Sequence, residues 1–364
     1  MRAQAPITAI RAEAYTVPTD GPEADGTFAW DATTIVVIHI QAGGQEGIGY
    51  TYSDTTNAEF VNRSLSPLLR EFDALDVPAA HRAMQIKVRN LGRSGLAATA
   101  ISAVDVALWD LKAKLLGLPL ARLLGMVRLT VPIYGSGGFT NYDDARLGAQ
   151  LAGWVERDGC RWVKMKIGSD PGRDPARIAA ARKAIGQAAL FVDANGALSR
   201  KAALRLADLC AGSGVTWFEE PVSSDDLAGL RLLRDRVPAP VEIAAGEYAY
   251  NLDDVRRMLE AGAVDVQQAD ASRCGGISGF LAVGALCAAH HIDLSGHCAP
   301  SLHLHAACAI PHLRHLEYFH DHVRLESMLF DGAAIAKDGV IVPDLGRAGL
   351  GLVLKAADAA RFAA

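Results

Sequence analysis

The sequence predicts an α/β fold in which a (β/α) barrel follows a smaller region of β and then α structure. Three observations carry this. From Val131 onward, eight short β-branched or aromatic segments alternate with Ala- and Leu-rich helical stretches. Lys166, Asp193, Glu219, Glu247, Asp270, His297 and Glu317 recur 20 to 28 residues apart, about the length of one strand, one helix and two loops. Before Val131, residues 7–50 read as β and residues 57–124 as helix. A (β/α) barrel builds its active site from strand ends, so one repeat brings seven polar groups to a single mouth.

The elements follow in order. Residues 7–17 alternate in part, and residues 33–40 form a β-branched run. Gly43-Gly44 marks a hairpin turn. The Pro and Gly content of residues 18–26 predicts a loop. Residues 96–116 have apolar positions at helical spacing and stop at Gly117-Leu118-Pro119. Barrel strands are expected from Val131, Trp162, Ala189, Thr216, Val241, Val264, Ile292 and His315. The tail, residues 338–354, looks extended and is expected to return to the first domain.

Composition narrows the class. With 364 residues, 50% hydrophobic and 21% charged, the chain suits a soluble enzyme with a large core. A net charge of −5 gives no electrostatic case for nucleic acid or an anionic membrane. The first eight residues lack the apolar core of a signal peptide. Residues 277–289 are too few to span a bilayer and read as a buried helix. No two of the six cysteines form a C-x-x-C pair, so buried free thiols in a reducing cytoplasm are expected. Cys298 adjoins His297, but no separate base is left to activate it as a nucleophile.

The polar series has a chemistry. Asp193, Glu219 and Glu247 would end three successive strands, and three convergent carboxylates repel one another unless a cation sits between them. Mg²⁺ fits, because it takes oxygen ligands and keeps positions open for water and substrate. Lys164 and Lys166, two apart on one strand, both face the barrel interior. Each is expected to depress the other's proton affinity, as does a nearby metal ion, which prepares Lys166 as a base and leaves Lys164 to hold a substrate carboxylate. Asp270 would orient His297 through one ring nitrogen and raise the basicity of the other. Glu317, kept protonated by burial, could donate to an enolate oxygen. His303 and His305 are weaker candidates for substrate contact, with a helix surface as the plainer alternative. A metal, a cationic lysine, two bases and an acid form an apparatus for removing a proton α to a carboxylate.

These motifs together resemble the enolase superfamily, mandelate racemase subgroup. Residues 100–114 resemble the helix that leads into the barrel. Lys164-Met-Lys166 matches the K-x-K motif. Val192-Asp193-Ala-Asn195, Phe218-Glu219-Glu220-Pro221 and Gly246-Glu247 match the three metal-ligand motifs, with Glu219 selected over Glu220. Asp270 and His297 match the dyad, and Glu317 the late acid. The resemblance implies a modified TIM barrel, (β/α)7β, over residues 126–337. It implies an N-terminal α+β capping domain over residues 1–125, completed by the tail, about 338–364. It implies Mg²⁺ as cofactor, and a homo-oligomer is expected. Ala348-Gly349-Leu350-Gly351 stands where the family often has Pro-Gly-Leu-Gly.

The implied substrate is a small carboxylate, an acid sugar dehydrated to a 2-keto-3-deoxy acid. Racemisation or epimerisation of a 2-hydroxy acid is the alternative, and a non-catalytic sugar-acid binding protein would have no reason to keep every base and ligand. Substrate contacts are expected from Lys164, Asn195 and Tyr248, and from Asp20 and Glu23 in the covering loop. The acids of that loop suit sugar hydroxyls and disfavour a second carboxylate, which points to mono-acids.

Overall fold

The computed structural model describes residues 4–364. The first three residues of the expected capping domain, which also open the N-terminal octapeptide, lie outside it. Three antiparallel strands begin the fold: β1 (Ile7–Ala24), β2 (Ala29–Ala42) and β3 (Gln45–Tyr52), paired in the order β1-β2-β3. β2 is central, and its β-branched run from Ile35 to Ile40 is wholly buried. The 20-residue helix Leu96–Leu115 packs across this sheet.

The expected loop over residues 18–26 is largely strand. β1 continues to Ala24, and its register slips between the pairs Pro18↔Ala32 and Glu23↔Trp30. Five steps on β1 there face two on β2, a wide bulge. Pro18 and Gly21 are tolerated because β1 pairs only with β2 and the ladder is already broken. The turn itself is short. Asp25 Oδ1 closes it by accepting from the backbone N–H of Thr27 (2.6 Å) and Phe28 (2.7 Å).

The barrel consists of β4 (Val131–Gly137), β5 (Trp162–Lys166), β6 (Ala189–Asp193), β7 (Val215–Glu219), β8 (Glu242–Ala245), β9 (Val266–Ala269), β10 (Asp293–Gly296) and β11 (Leu313–Phe319). All eight are parallel, each beside its sequence neighbour, and β11 closes on β4. Seven helices join them, giving (β/α)7β. Local sequence starts several of these helices: Asp143, Ser199, Asp226 and Asn251 each accept the backbone N–H three residues on. Inside the barrel, Tyr134, Phe191, Trp217, Ala244 and Val266 fill the space below the polar residues.

Two contacts set the first sheet over the barrel mouth. Tyr50 Oη donates to Glu326 (2.6 Å), and Thr33 Oγ1 donates to Asp321 (2.5 Å). The tail divides. Val340 and Ile341 pair with β4 of the barrel, so the return to the first domain starts later than residue 338. It starts at Gly349, whose N–H donates to Leu118 O (2.9 Å), and reaches Ala364, whose N–H donates to Ala14 O (3.1 Å). All six cysteines are buried and free. Among the described residues, no helix is long and apolar enough to cross a membrane.

Candidate active site

The parallel register puts the polar strand ends at one level. Lys166 pairs with Asp193, and Asp193 with Glu219. Glu247, Asp270 and His297 lie just past the ends of β8, β9 and β10. Carboxylate oxygens of Asp193, Glu219 and Glu247 come within 4.8 Å of one another. Lys164 Nζ contacts Glu219, reaches Glu317 at 2.8 Å and lies 3.5 Å from Asp193. Lys166 Nζ meets Asp193 at 2.5 Å. The inward-facing lysines leave Val163 and Met165 buried on the outer face.

On the far side, His297 Nδ1 lies 2.8 Å from Asp270 Oδ2, and Asp270 Oδ1 accepts from Ser272 N–H (2.7 Å). His297 Nε2 faces Glu247 Oε2 at 3.2 Å and Cys298 Sγ at 3.3 Å. Cys298 and Ala299 turn in the left-handed region, with φ of 51° and 40°. Strain of this kind gathers at functional sites. β5 and β10 stand three strands apart around the ring in one direction and five in the other. Lys166 and His297 therefore enter the mouth from opposed sides.

Charged neighbours surround both lysines and Glu317. Burial disfavours the ammonium forms of Lys164 and Lys166. Glu219 and Glu317 around Lys164, and Asp193 beside Lys166, outweigh it and hold both amines above their ordinary range. Mutual repulsion of the two lysines is the smaller effect. Burial likewise favours a neutral Glu317, but the Lys164 ammonium holds its carboxyl well below the usual range. Glu317 is therefore an ion-pair partner, which also accepts from Ser136 Oγ (2.5 Å) and Cys298 N–H (3.1 Å). Burial also opposes ionising Asp270, but the His297 hydrogen bond and Arg273 hold it low. Burial opposes a charged His297, but Glu247 and the Asp270 hydrogen bond hold it above its usual value. Burial pushes the Cys298 thiol up to about 12, which leaves it a thiol at neutral pH.

The acids need more positive charge than the lysines supply. Burial and then Asp193, against the pull of Lys164, push Glu219 up to about 8. Burial, Glu247 and Asp193 raise Glu220. Glu220 Oε1 and Asn195 Oδ1 are buried with no hydrogen bond. Orphaned buried oxygens around three convergent carboxylates fit a hard divalent cation.

Above this cluster lies a cavity of ≈ 280 Å³. Its barrel side includes Lys166, Asn195, Glu247, Tyr248, Arg273 and His297. Its cap side includes Asp25, Phe28, Trp30, Thr33 and Tyr52. Asp20 and Glu23 do not line it. Asp20 faces His320 Nε2 (2.9 Å) and Arg146 (3.8 Å), outside the mouth. Glu23 is buried behind Trp30, whose Nε1 donates to it at 2.8 Å. Burial, then Asp321, raises the Glu23 carboxyl to about 8. His303 and His305 are neither on a surface nor at the cavity. Both are buried in the helix Pro300–Ala307 and accept backbone N–H groups, from Ala271 (2.7 Å) and Ala121 (3.1 Å).

Arg273 escaped the sequence reading. It donates to Glu247 O (3.1 Å) and lies 3.5 Å from Asp270. Its place three residues after Asp270 was the available signal. Trp30 and Tyr52 carried no local signal, because only the folded cap turns them toward the barrel.

Comparison with known proteins agrees with this arrangement. The family profile described as mandelate racemase / muconate lactonizing enzyme, N-terminal domain, matches residues 13–125, and the enolase C-terminal domain-like profile matches residues 146–359. The chain is 33% identical over 330 residues to L-talarate/galactarate dehydratase of Salmonella typhimurium, covering 88% of this chain and 80% of the relative. A solved structure of that enzyme with Mg and L-lyxarohydroxamate gives a TM-score of 0.90, with 30% identity and coverage of 99% and 93%. The 3,6-anhydro-α-L-galactonate cycloisomerase of Streptomyces coelicolor is 32% identical, covering 96% of this chain and 97% of the relative. A mandelate racemase/muconate lactonizing enzyme-like protein from Rubrobacter xylanophilus has a solved structure with 51% identity, a TM-score of 0.96 and coverage of 99% and 100%.

Proposed function

The chain belongs to the mandelate racemase / muconate lactonizing enzyme family of the enolase superfamily, and from that premise we propose that it is a Mg²⁺-dependent dehydratase of mono-acid sugars. One observation carries the reading: Lys166 and the His297–Asp270 pair flank, from opposed sides, a cluster of three buried carboxylates whose convergent oxygens suit a hard divalent cation. Asp193, Glu219 and Glu247 would hold the ion. Mg²⁺, when bound, lowers the energy of the negative charge that develops on the substrate carboxylate as the α-proton leaves.

The chain's own residues do the rest. Lys164, fixed between Glu219 and Glu317, presents a permanent positive charge to the substrate carboxylate. Lys166 takes or returns the α-proton on one face, and His297 works on the other. With Asp193 taken up as a metal ligand, Lys166 would no longer be held to it, and its amine would be available as a base. Asp270, ionised by Arg273 and His297, keeps the imidazole oriented so that Nε2 faces the substrate. After abstraction from the Lys166 side, His297 protonates the departing β-hydroxyl. The enol product then gains a proton to become the 2-keto-3-deoxy acid.

The preference for mono-acids rests on the cap side of the cavity. Among the described residues lining it there, no Lys or Arg is present to meet a second carboxylate, while Asp25, Thr33 and three aromatic rings suit hydroxyls and C–H faces. Asp20 and Glu23, outside the cavity, take no part in this preference. A second reading, cycloisomerisation by the same α-proton step, draws support from the similarity to the Streptomyces cycloisomerase over nearly both full chains.

The test is a library of mono- and di-acid sugars incubated with Mg²⁺ in D₂O, following keto-acid formation and α-deuterium incorporation. A mono-acid that yields both is the expected result. Turnover of di-acids alone refutes the mono-acid preference, and a library with no α-exchange refutes the proton-abstraction reading.

A further inference from the structure

A second cluster of ligand-bearing side chains lies outside the active site, where the bulge of β1 meets the residue that follows β11. Oxygens of Asp20 and Glu23 and a ring nitrogen of His320 all lie within 4.8 Å of one another. Three features set this cluster apart from ordinary surface acids.

The first is the bulge. Residues three apart on a regular strand point to opposite faces, yet the irregularity between Pro18 and Glu23 turns Asp20 and Glu23 toward one point. The second is an orphan. Glu23 is 0% exposed, and while its Oε2 accepts from Trp30, its Oε1 is buried with no partner. The unpartnered oxygen belongs to the group facing Asp20 and His320. A buried carboxylate oxygen left unpaired is costly, and a cation is the partner that removes the cost. The third is charge. Glu23, Asp20 and Asp321 face Arg146 and Arg324. Arg324 is already bound to Asp321 (2.7 Å) and to Pro18 O (2.7 Å), and Arg146 lies 3.8 Å from Asp20 and stacks on the Tyr142 ring.

We propose that Asp20, Glu23 and His320 form a second divalent-cation site that ties the bulge of β1 to the barrel. Two carboxylates and one imidazole favour a borderline ion such as Zn²⁺ over Mg²⁺, which prefers an all-oxygen shell. Three protein ligands leave further positions to water, in keeping with the exposure of Asp20. The ion touches no substrate. Its role is positional: Glu23 holds the indole of Trp30, and Trp30 lines the substrate cavity. The site is independent of the dehydratase reading, since none of its ligands belongs to the carboxylate trio.

The experiment is equilibrium dialysis of the full chain against Zn²⁺ in saturating Mg²⁺, with both metals quantified by mass spectrometry. The expected result is one Zn²⁺ per chain with no loss of Mg²⁺. The His320→Gln and Asp20→Asn variants, both altered at solvent-accessible positions, should weaken Zn²⁺ uptake by at least the roughly 10- to 100-fold that removing a ligand's outer support costs. Melting in chelator checks that each variant is folded. Asp193→Asn should retain the Zn²⁺. No Zn²⁺ uptake, uptake matched by loss of Mg²⁺, or undiminished uptake by both folded variants overturns the proposal.

Discussion

Replacing Gly26 by alanine should damage catalysis far more than stability. Gly26 sits in the turn between β1 and β2, pressed on the ends of β5 and β6. A Cβ there would lie 2.3 Å from Ala194 O and 2.7 Å from Ile167 O, both backbone atoms. Its φ is outside the left-handed region, so the effect is purely steric. Reaching an ordinary contact of 3.4 Å requires a displacement of about 1.1 Å, 3.4 minus 2.3. The barrel strands are closed and cannot give, so the turn lifts. Two hydrogen bonds oppose this, from Thr140 N–H to Ala24 O and from Thr140 Oγ1 to Asp25 O, each 2.8 Å. Losing both costs about 2 kcal/mol, at about 1 kcal/mol each.

The catalytic consequence is larger. The same turn carries Asp25 and Phe28 into the substrate cavity. A displacement of about 1 Å in a positioning element can cost about 100-fold in rate. Gly26→Ala should therefore lower kcat/KM on the best substrate by about 100-fold, while Tm falls by only a few degrees. Steady-state kinetics and a thermal melt on the same preparation decide it. Wild-type kcat/KM in the variant would show that the turn does not shape the cavity. A collapse of Tm would show that it is structural.

Four other outcomes follow from the same geometry. Chelation should abolish turnover and added Mg²⁺ should restore it, since the carboxylate trio offers a hard cation its oxygen ligands; full activity in excess chelator refutes the trio's role. In D₂O, Lys166→Ala and His297→Asn should each lose α-exchange on one epimer and retain it on the other; identical exchange patterns would remove the two-face arrangement. Asp270→Asn should cost about 10- to 100-fold or more in kcat by releasing the His297 ring, and unchanged kcat would make the 2.8 Å contact incidental. Burial raises Glu326 to about 7, so the native state holds this proton more tightly than the unfolded chain. The contribution, about 3 kcal/mol at most, is full below about pH 4.5, is lost as pH rises to about 7, and is flat above that. Thermal melts from pH 4 to 8 should show this slope in the wild type and a flatter one in Glu326→Gln; equal slopes assign the pH dependence elsewhere.

The sequence by itself determined the barrel and the identity of its polar ring. Strand length, helix length and turn chemistry are local properties, so Lys166, Asp193, Glu219, Glu247, Asp270 and His297 recur at one repeat length wherever each strand delivers one group. The alternation Val163, Lys164, Met165, Lys166 likewise shows which lysines point inward. Tertiary structure alone decided the rest. Residues 18–26 carry Pro and Gly and read as a loop, yet pairing with β2 stretches them into a bulged strand and turns Asp20 and Glu23 away from the cavity. Trp30 and Tyr52 face the substrate only because the first sheet docks on the barrel mouth. Protonation states lay furthest from sequence, since they depend on distances summed over several strands. Two adjacent lysines suggest mutual repulsion and a buried Glu317 suggests a neutral acid. The folded barrel instead surrounds Lys164 with Glu219 and Glu317 and sets Lys166 on Asp193, opposite charges that no reading along one strand shows.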